Sequence, residues 1–269
     1  MTPGADGAEE SRQAPLGFDA VEASGSGAPG SGGGGGRDGG QGGGDGGDSG
    51  LAESDSGAEA PSRSADVGRR LARARQLVED GRVDDAVELY REIVADHPGH
   101  LKARNNLGVL YDGLGYHDRA LEHLEAAREI EPENLEVLTN LGSTLGALGR
   151  FEEAETELRR ALRLEPESIP VRLALGIVLF RRGLYEPAEA ELRWVCQQDE
   201  THAVAHFYRG EALNRMGRVD DAIRVLEKTV ELQPDNARAY YTLGILFDRK
   251  HLTEDAAQMY RKARELGAS

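Results

Sequence analysis

His202 and His206 come nearest to the spacing of a metal site. Four residues apart, they could share one helical face, as two zinc ligands do, but no third ligand lies nearby at a recognised interval and the two straddle a turn. His97 and His100 flank Pro98-Gly99 in the same way, and no His-Glu-x-x-His occurs. The run Gly32 to Gly36 could suggest a phosphate loop, yet no strand pattern precedes it and no Lys-Ser/Thr follows. The acidic pairs Asp84–Asp85, Glu152–Glu153 and Asp220–Asp221 could do acid–base work if they converged on one cleft. Their even spacing along the chain argues instead for a structural duty at the start of a helix, where negative charge suits the helix dipole. Cys196 is the single cysteine, so no internal disulfide can form. These residues point to no catalytic centre, no metal and no cofactor.

The spacing itself is the strongest signal. Ala86, Ala120, Ala154, Ala188, Ala222 and Ala256 stand 34 residues apart without a slip. Gly81, Gly115, Gly149, Gly183 and Gly217 keep the same step until His251 breaks it, and Gly108, Gly142, Gly176, Gly210 and Gly244 form another column. Pro98, Pro132, Pro166 and Pro234 close successive units, with Glu200 in the remaining slot. The units are 67–100, 101–134, 135–168, 169–202, 203–236 and 237–269. Each reads as two helices. Leu107, Leu110, Tyr111 and Leu114 recur at three- and four-residue steps, Gly115 turns the chain, and Ala120, Leu121, Leu124 and Ala127 make a second stripe. Gly108 and Ala120 are small, so the two helices of a pair can approach closely. Cys196 shares a column with Val94, Leu162 and Val230, which predicts a buried structural thiol.

Leu107-Gly108 through Tyr111, then Ala120, Leu124, Ala127 and Pro132, resembles the tetratricopeptide repeat (TPR) signature. The resemblance covers residues 67–269 and implies an all-α fold, a right-handed α-solenoid of six helix pairs. It also implies a concave groove lined by first helices, and work done by holding other proteins or peptides rather than by catalysis. Unit 1 departs from the pattern, with Arg73-Ala74 in place of Leu-Gly, and reads as a polar cap.

Within that groove three columns are candidates for contact with a partner. Asn106 and Asn140 occupy a position where asparagines in peptide-binding members of the family bond an extended ligand's backbone; the same amides read equally as solvated consensus residues. Arg181, Arg215 and Arg249 repeat at 34-residue steps and suit carboxylates or phosphates, although a cation near a helix end also suits its dipole. Phe180, Phe207, Tyr208 and Tyr241, with Leu173, Ile177 and Ile245, give the C-terminal half an apolar and aromatic lining, whereas units 2 and 3 offer Asn105, Thr139 and Ser143. Aromatic anchors beside arginine are typical of binding hot spots, and inward-turned core rings are the other reading. Leu71, Arg75, Glu136 and Asn140 do not supply the set that carboxylate-clamp members use around Asn106.

Composition divides the chain. Residues 1–66 hold 20 of the 35 glycines and twelve acidic against three basic residues, with few apolar side chains: Leu16, Phe18, Val21 and Leu51. Such a segment cannot bury enough apolar surface to offset its ordering entropy, so a disordered Gly/Asp-rich N-terminal tail is expected there. The net charge of −16 argues against nucleic acid or an anionic membrane as the main partner. No stretch approaches the ~20 apolar residues of a membrane span, no secretory signal is evident, and a cytoplasmic protein is the expected setting. Arg261, Lys262 and Arg264 solvate the last helix in this reading, with Tyr260 and Leu266 partly exposed. A weak homo-oligomer through that C-terminal end, or assembly into a larger complex as an architectural subunit, is the alternative to a groove-binding adaptor.

Overall fold

The computed structural model describes residues 59–267. The tail over 1–58 lies outside the described residues. Among the described residues the chain forms twelve α-helices: α1 Glu59–Glu79, α2 Val83–Asp96, α3 Leu101–Gly113, α4 His117–Ile130, α5 Leu135–Ala147, α6 Phe151–Leu164, α7 Ile169–Arg181, α8 Tyr185–Gln198, α9 Ala203–Arg215, α10 Val219–Leu232, α11 Ala237–Arg249 and α12 Thr253–Glu265. Together they are an all-α solenoid of six helix pairs. α1 begins at Glu59, inside the segment that composition assigned to the tail, rather than at Val67. Pro61 is tolerated in its first turn, where an amide would have no helical partner.

Four of the first helices, α3, α5, α9 and α11, start at a residue whose side chain caps them. His100 Nδ1 accepts from the Ala103 amide at 3.2 Å, Asn134 Oδ1 from Val137 at 3.1 Å, His202 Nδ1 from Ala205 at 3.4 Å and Asn236 Oδ1 from Ala239 at 3.0 Å. α7 lacks such a bond at Ser168 and instead carries Pro170 in its first turn. Every first helix ends on a left-handed residue, Gly81 to Gly217 with φ between 74° and 85°, and the next amide bonds back across the turn, as Tyr116 does to the Tyr111 carbonyl at 2.8 Å. His251 takes that conformation in the last unit with φ 60°.

The helices of a pair meet at the second glycine column. A Cβ on Gly108, Gly142, Gly176 or Gly210 would sit 2.5–2.7 Å from Cγ of Leu124, Leu158, Leu192 or Leu226, and one on Gly244 would meet the Tyr260 ring at 2.5 Å. In unit 1 the fully buried Ala74 stands in this column, with the buried Tyr90 in the facing position. Successive first helices also touch one another, α3 to α5, α5 to α7, α7 to α9 and α9 to α11. The approach of α7 to α5 is helped by Gly146, where a Cβ would lie 2.8 Å from Val178 Cγ2. Second helices reach one another through long side chains, such as Arg128 Nη1 to Glu157 Oε1 at 2.7 Å. Closer spacing of the first helices puts them on the inner wall of the curve.

Two buried carboxylates interrupt an otherwise apolar column of the second helices. Glu155 and Glu189 replace the Val87, Leu121 and Ile223 of other units and are 6% and 4% exposed. Glu155 is held by Arg159 at 2.6 Å and by Arg182 from the next unit. Glu189 is held by Arg209, also from the next unit, at 3.0 Å. These pairs link units 3 to 4 and 4 to 5.

Candidate binding groove

Residues two, five, six, nine, twelve and thirteen of each unit share one face of the first helix, the face weighed for a groove. In units 2 and 3 its polar groups are engaged within the protein. Asn106 is half-buried, and its Nδ2 donates to Tyr90 Oη at 3.0 Å. Burial pushes the Tyr90 phenol up, and the Asn106 bond opposes that shift. Asn140 is buried and donates to Asn105 Oδ1 at 3.0 Å, and Asn105 in turn donates to Glu136 Oε1 at 2.6 Å. Thr139 and Ser143 donate to carbonyls of their own helix, Leu135 O at 2.7 Å and Thr139 O at 3.0 Å. One N–H of each amide is thus used within the protein, by Asn106 on Tyr90 and by Asn140 on Asn105.

Units 4 to 6 differ. Leu173 and Ile177 are buried, and so are Phe207 and Tyr208, at 5% and 7% exposure. Phe180 is half-buried. The rings run edge to face, Phe207 to Tyr208 within unit 5 with centroids at 5.4 Å and Tyr208 to Phe180 across the boundary with unit 4 at 5.6 Å. They form a packed aromatic floor. Above it stand the groups that remain accessible. Arg181, Arg215 and Arg249 are exposed at successive 34-residue steps. Arg249 donates to Asn214 Oδ1 at 3.0 Å, while Arg181 and Arg215 make no ion pair with any described residue. Tyr241 is 49% exposed beside Tyr260, centroids 5.7 Å apart. Burial and the Asp248 carboxylate, which accepts the Tyr260 hydroxyl at 2.8 Å, push that phenol up to about 12.

Two groove residues escaped the sequence reading. Arg238 lays its guanidinium over the Phe207 ring, 5.4 Å from the centroid, adding a fourth cation to this half. It lies in the column of Lys102, Glu136, Pro170 and Val204, whose mixed chemistry gave no pattern to read. Glu211 stands in the column of Val109, Ser143, Ile177 and Ile245, and its Oε1 is shut from solvent with no hydrogen-bond partner among the described residues.

The residues weighed for chemistry have other occupations. His202 caps α9, whereas His206 lies in contact with the Glu200 carbonyl, Nε2 to O at 3.1 Å, and burial pushes its pKa down. Burial pushes the Cys196 thiol up to about 11, which keeps it protonated and unreactive at neutral pH. Arg150 and Arg218 each bond the acid three residues on, Glu153 and Asp221, and hold those carboxyls below their ordinary range. Trp194 is half-buried under the Arg172 guanidinium, 4.4 Å from the ring centroid. Among the described residues no group of three or more His, Cys, Asp or Glu is arranged to hold a metal ion, and no helix is long and apolar enough to cross a membrane.

Three family models, each described as tetratricopeptide repeat, match residues 71–134, 113–163 with 147–206, and 200–268. The chain belongs to the tetratricopeptide repeat family. Among curated proteins none matches it. Of solved structures, a tetratricopeptide repeat protein from Parabacteroides merdae is similar at 21% identity and a TM-score of 0.63, covering 78% of this chain and 82% of that one. A MamA fragment (41-end) from Desulfovibrio magneticus is similar at 26% identity and a TM-score of 0.56, covering 62% of this chain and 94% of that one. YrrB, described as a TPR protein with an unusual peptide-binding site, is similar at 23% identity and a TM-score of 0.52, covering 67% and 93%.

Proposed function

We propose that this chain is a scaffold whose concave face in units 4 to 6 binds an extended segment of a partner protein carrying carboxylates beside an apolar side chain. The observation that carries this reading is the exposed ladder Arg181, Arg215 and Arg249 above an aromatic floor, in a chain whose net charge is −16. Guanidinium groups at one register take carboxylates by paired N–H donors. Tyr241 offers an exposed ring for an apolar contact. Asn106 and Asn140 enter this reading as the inner limit of the site, since their amides hold Tyr90 and Asn105.

Selection of a random peptide library on the full chain tests the reading. Bound peptides should be enriched in Asp and Glu near an aliphatic or aromatic residue. Each arginine removed should weaken them by ~0.5–1 kcal/mol, the range of an exposed ion pair, with further weakening as salt rises. Arg181→Glu/Arg215→Glu should cost about tenfold or more, and Arg160→Glu on a second helix nothing. Selected peptides without acidic enrichment, or indifferent to Arg181 and Arg215, would refute it.

A further inference from the structure

The chain carries its own candidate for this groove. Residues 16–22 read Leu-Gly-Phe-Asp-Ala-Val-Glu, in which Leu16, Phe18 and Val21 lie close to the carboxylates of Asp19 and Glu22, and Phe18 is the only aromatic residue before Glu59. Residues 1–58 hold ten acidic against two basic residues, so the segment is opposite in net charge to the face where Arg181, Arg215, Arg238 and Arg249 outnumber Glu211 and Asp248. Between Glu22 and the start of α1 at Glu59 lie 36 residues, 17 of them glycine.

That connection has the reach the geometry requires. A Gly-rich chain of this length spans about 30–36 Å on average, at roughly 5–6 Å per square root of residue number. Fully drawn out it reaches about 120 Å. Units 4 to 6 begin three pairs beyond α1. At the 8–10 Å spacing of packed helices, the Arg181–Arg215 wall lies on the order of 40 Å away.

We infer that residues 16–22 dock intramolecularly on the concave face of units 4 to 6, with Phe18 and Leu16 on the aromatic floor and Asp19 and Glu22 on the arginine ladder. The inference rests on the groove reading above and adds a regulator to that site. A tether of this kind sets an effective concentration on the order of a millimolar. A segment with a Kd of about 0.1 mM in trans then holds the groove about nine-tenths of the time and weakens an outside acidic segment about tenfold. An outside partner succeeds only if it binds well enough to displace the tail.

The test uses the full chain with Ser24→Cys carrying a nitroxide; Cys196 is buried with a raised thiol pKa and stays unlabelled at neutral pH. Amide signals of α7, α9 and α11 should broaden, those of α8 and α10 much less, and Arg181→Glu/Arg215→Glu should abolish the effect. Mixing labelled, isotope-free chain with unlabelled, isotope-enriched chain should give no broadening. Broadening in that mixture would mean the segment docks on a second copy and would overturn the intramolecular claim, as would its absence from the single chain or its survival in the double arginine variant. Full-chain Leu16→Ala/Phe18→Ala should bind a library-selected acidic peptide about tenfold more tightly, and unchanged affinity would also overturn the inference. Failure of docking while acidic peptides still select the groove removes only the tail; failure of both removes the groove reading.

Discussion

Arg181 and Arg182 are adjacent yet face opposite duties, and Arg182 offers the sharper test of how the groove is held in register. Its guanidinium reaches back to Glu155, 6% exposed on α6, while Arg181 stands exposed on the groove side. Arg182→Leu restores the residue found at Leu114 and Leu148, so its own packing loss is small. What it leaves is a buried carboxylate with one partner fewer. Removing one member of a fully buried pair costs ~3–5 kcal/mol. Here Arg159 still holds Glu155 at 2.6 Å and the Arg182 side chain is 32% exposed, which discounts the loss to roughly 1.5–2.5 kcal/mol. At ~1–3 kcal/mol per molar urea, the midpoint should fall by about 1 M. Glu155→Leu/Arg182→Leu should return to within ~1 kcal/mol of wild type or exceed it, because well-packed apolar residues replace buried pairs without loss. The assay is urea unfolding followed by fluorescence of Trp194, the single tryptophan, in the adjoining helix pair. A neutral Arg182→Leu, or a double variant as weak as the two single losses added, would refute the account.

Three further outcomes follow from packing and burial. Gly176→Ala puts a Cβ 2.7 Å from Leu192 Cγ and should cost ~1–3 kcal/mol, whereas Gly68→Ala in α1 meets nothing within 4 Å and should gain ~0.5–1 kcal/mol; thermal melts of both decide it. His251→Gly relieves a non-glycine residue at φ 60° and should raise the melting temperature, the strain of ~1–2 kcal/mol being partly offset by the looser unfolded chain. Cys196 should alkylate far more slowly in the native chain at pH 8 than in urea. A thiol raised to about 11 by burial binds its proton when the unfolded thiol, near 8.5–9, has lost it. The folded state then holds more protons between those values, so this group's contribution to stability falls as pH rises from about 9 to about 11. Equal alkylation rates in both states would show the thiol to be exposed.

The fold was legible because each column states a contact made within one unit. Gly108 stands opposite Leu124 sixteen residues on, and the same pair recurs at Gly142 with Leu158, so spacing alone identifies the interface. The start of α1 was not legible in that way. Glu59 precedes the first column residue, so no 34-residue column marks it, while the glycine count drew the boundary later, at Val67. The groove was legible only in part, since periodicity says which face a side chain occupies but not what meets it across a unit boundary. Asn105 and Glu136, 31 residues apart, bond because α3 and α5 approach, and nothing in either unit alone announces it. The same holds for size. Phe207 and Tyr208 occupy positions filled by Asn105 and Asn106 in unit 2, but large rings gain more from packing against Phe180 than from water, and so they close into a floor. An arginine in the outermost column has no such apolar incentive and a strongly hydrated charge to keep solvated. Thus Arg181, Arg215 and Arg249 stay exposed, as the residue types at those 34-residue steps lead one to expect.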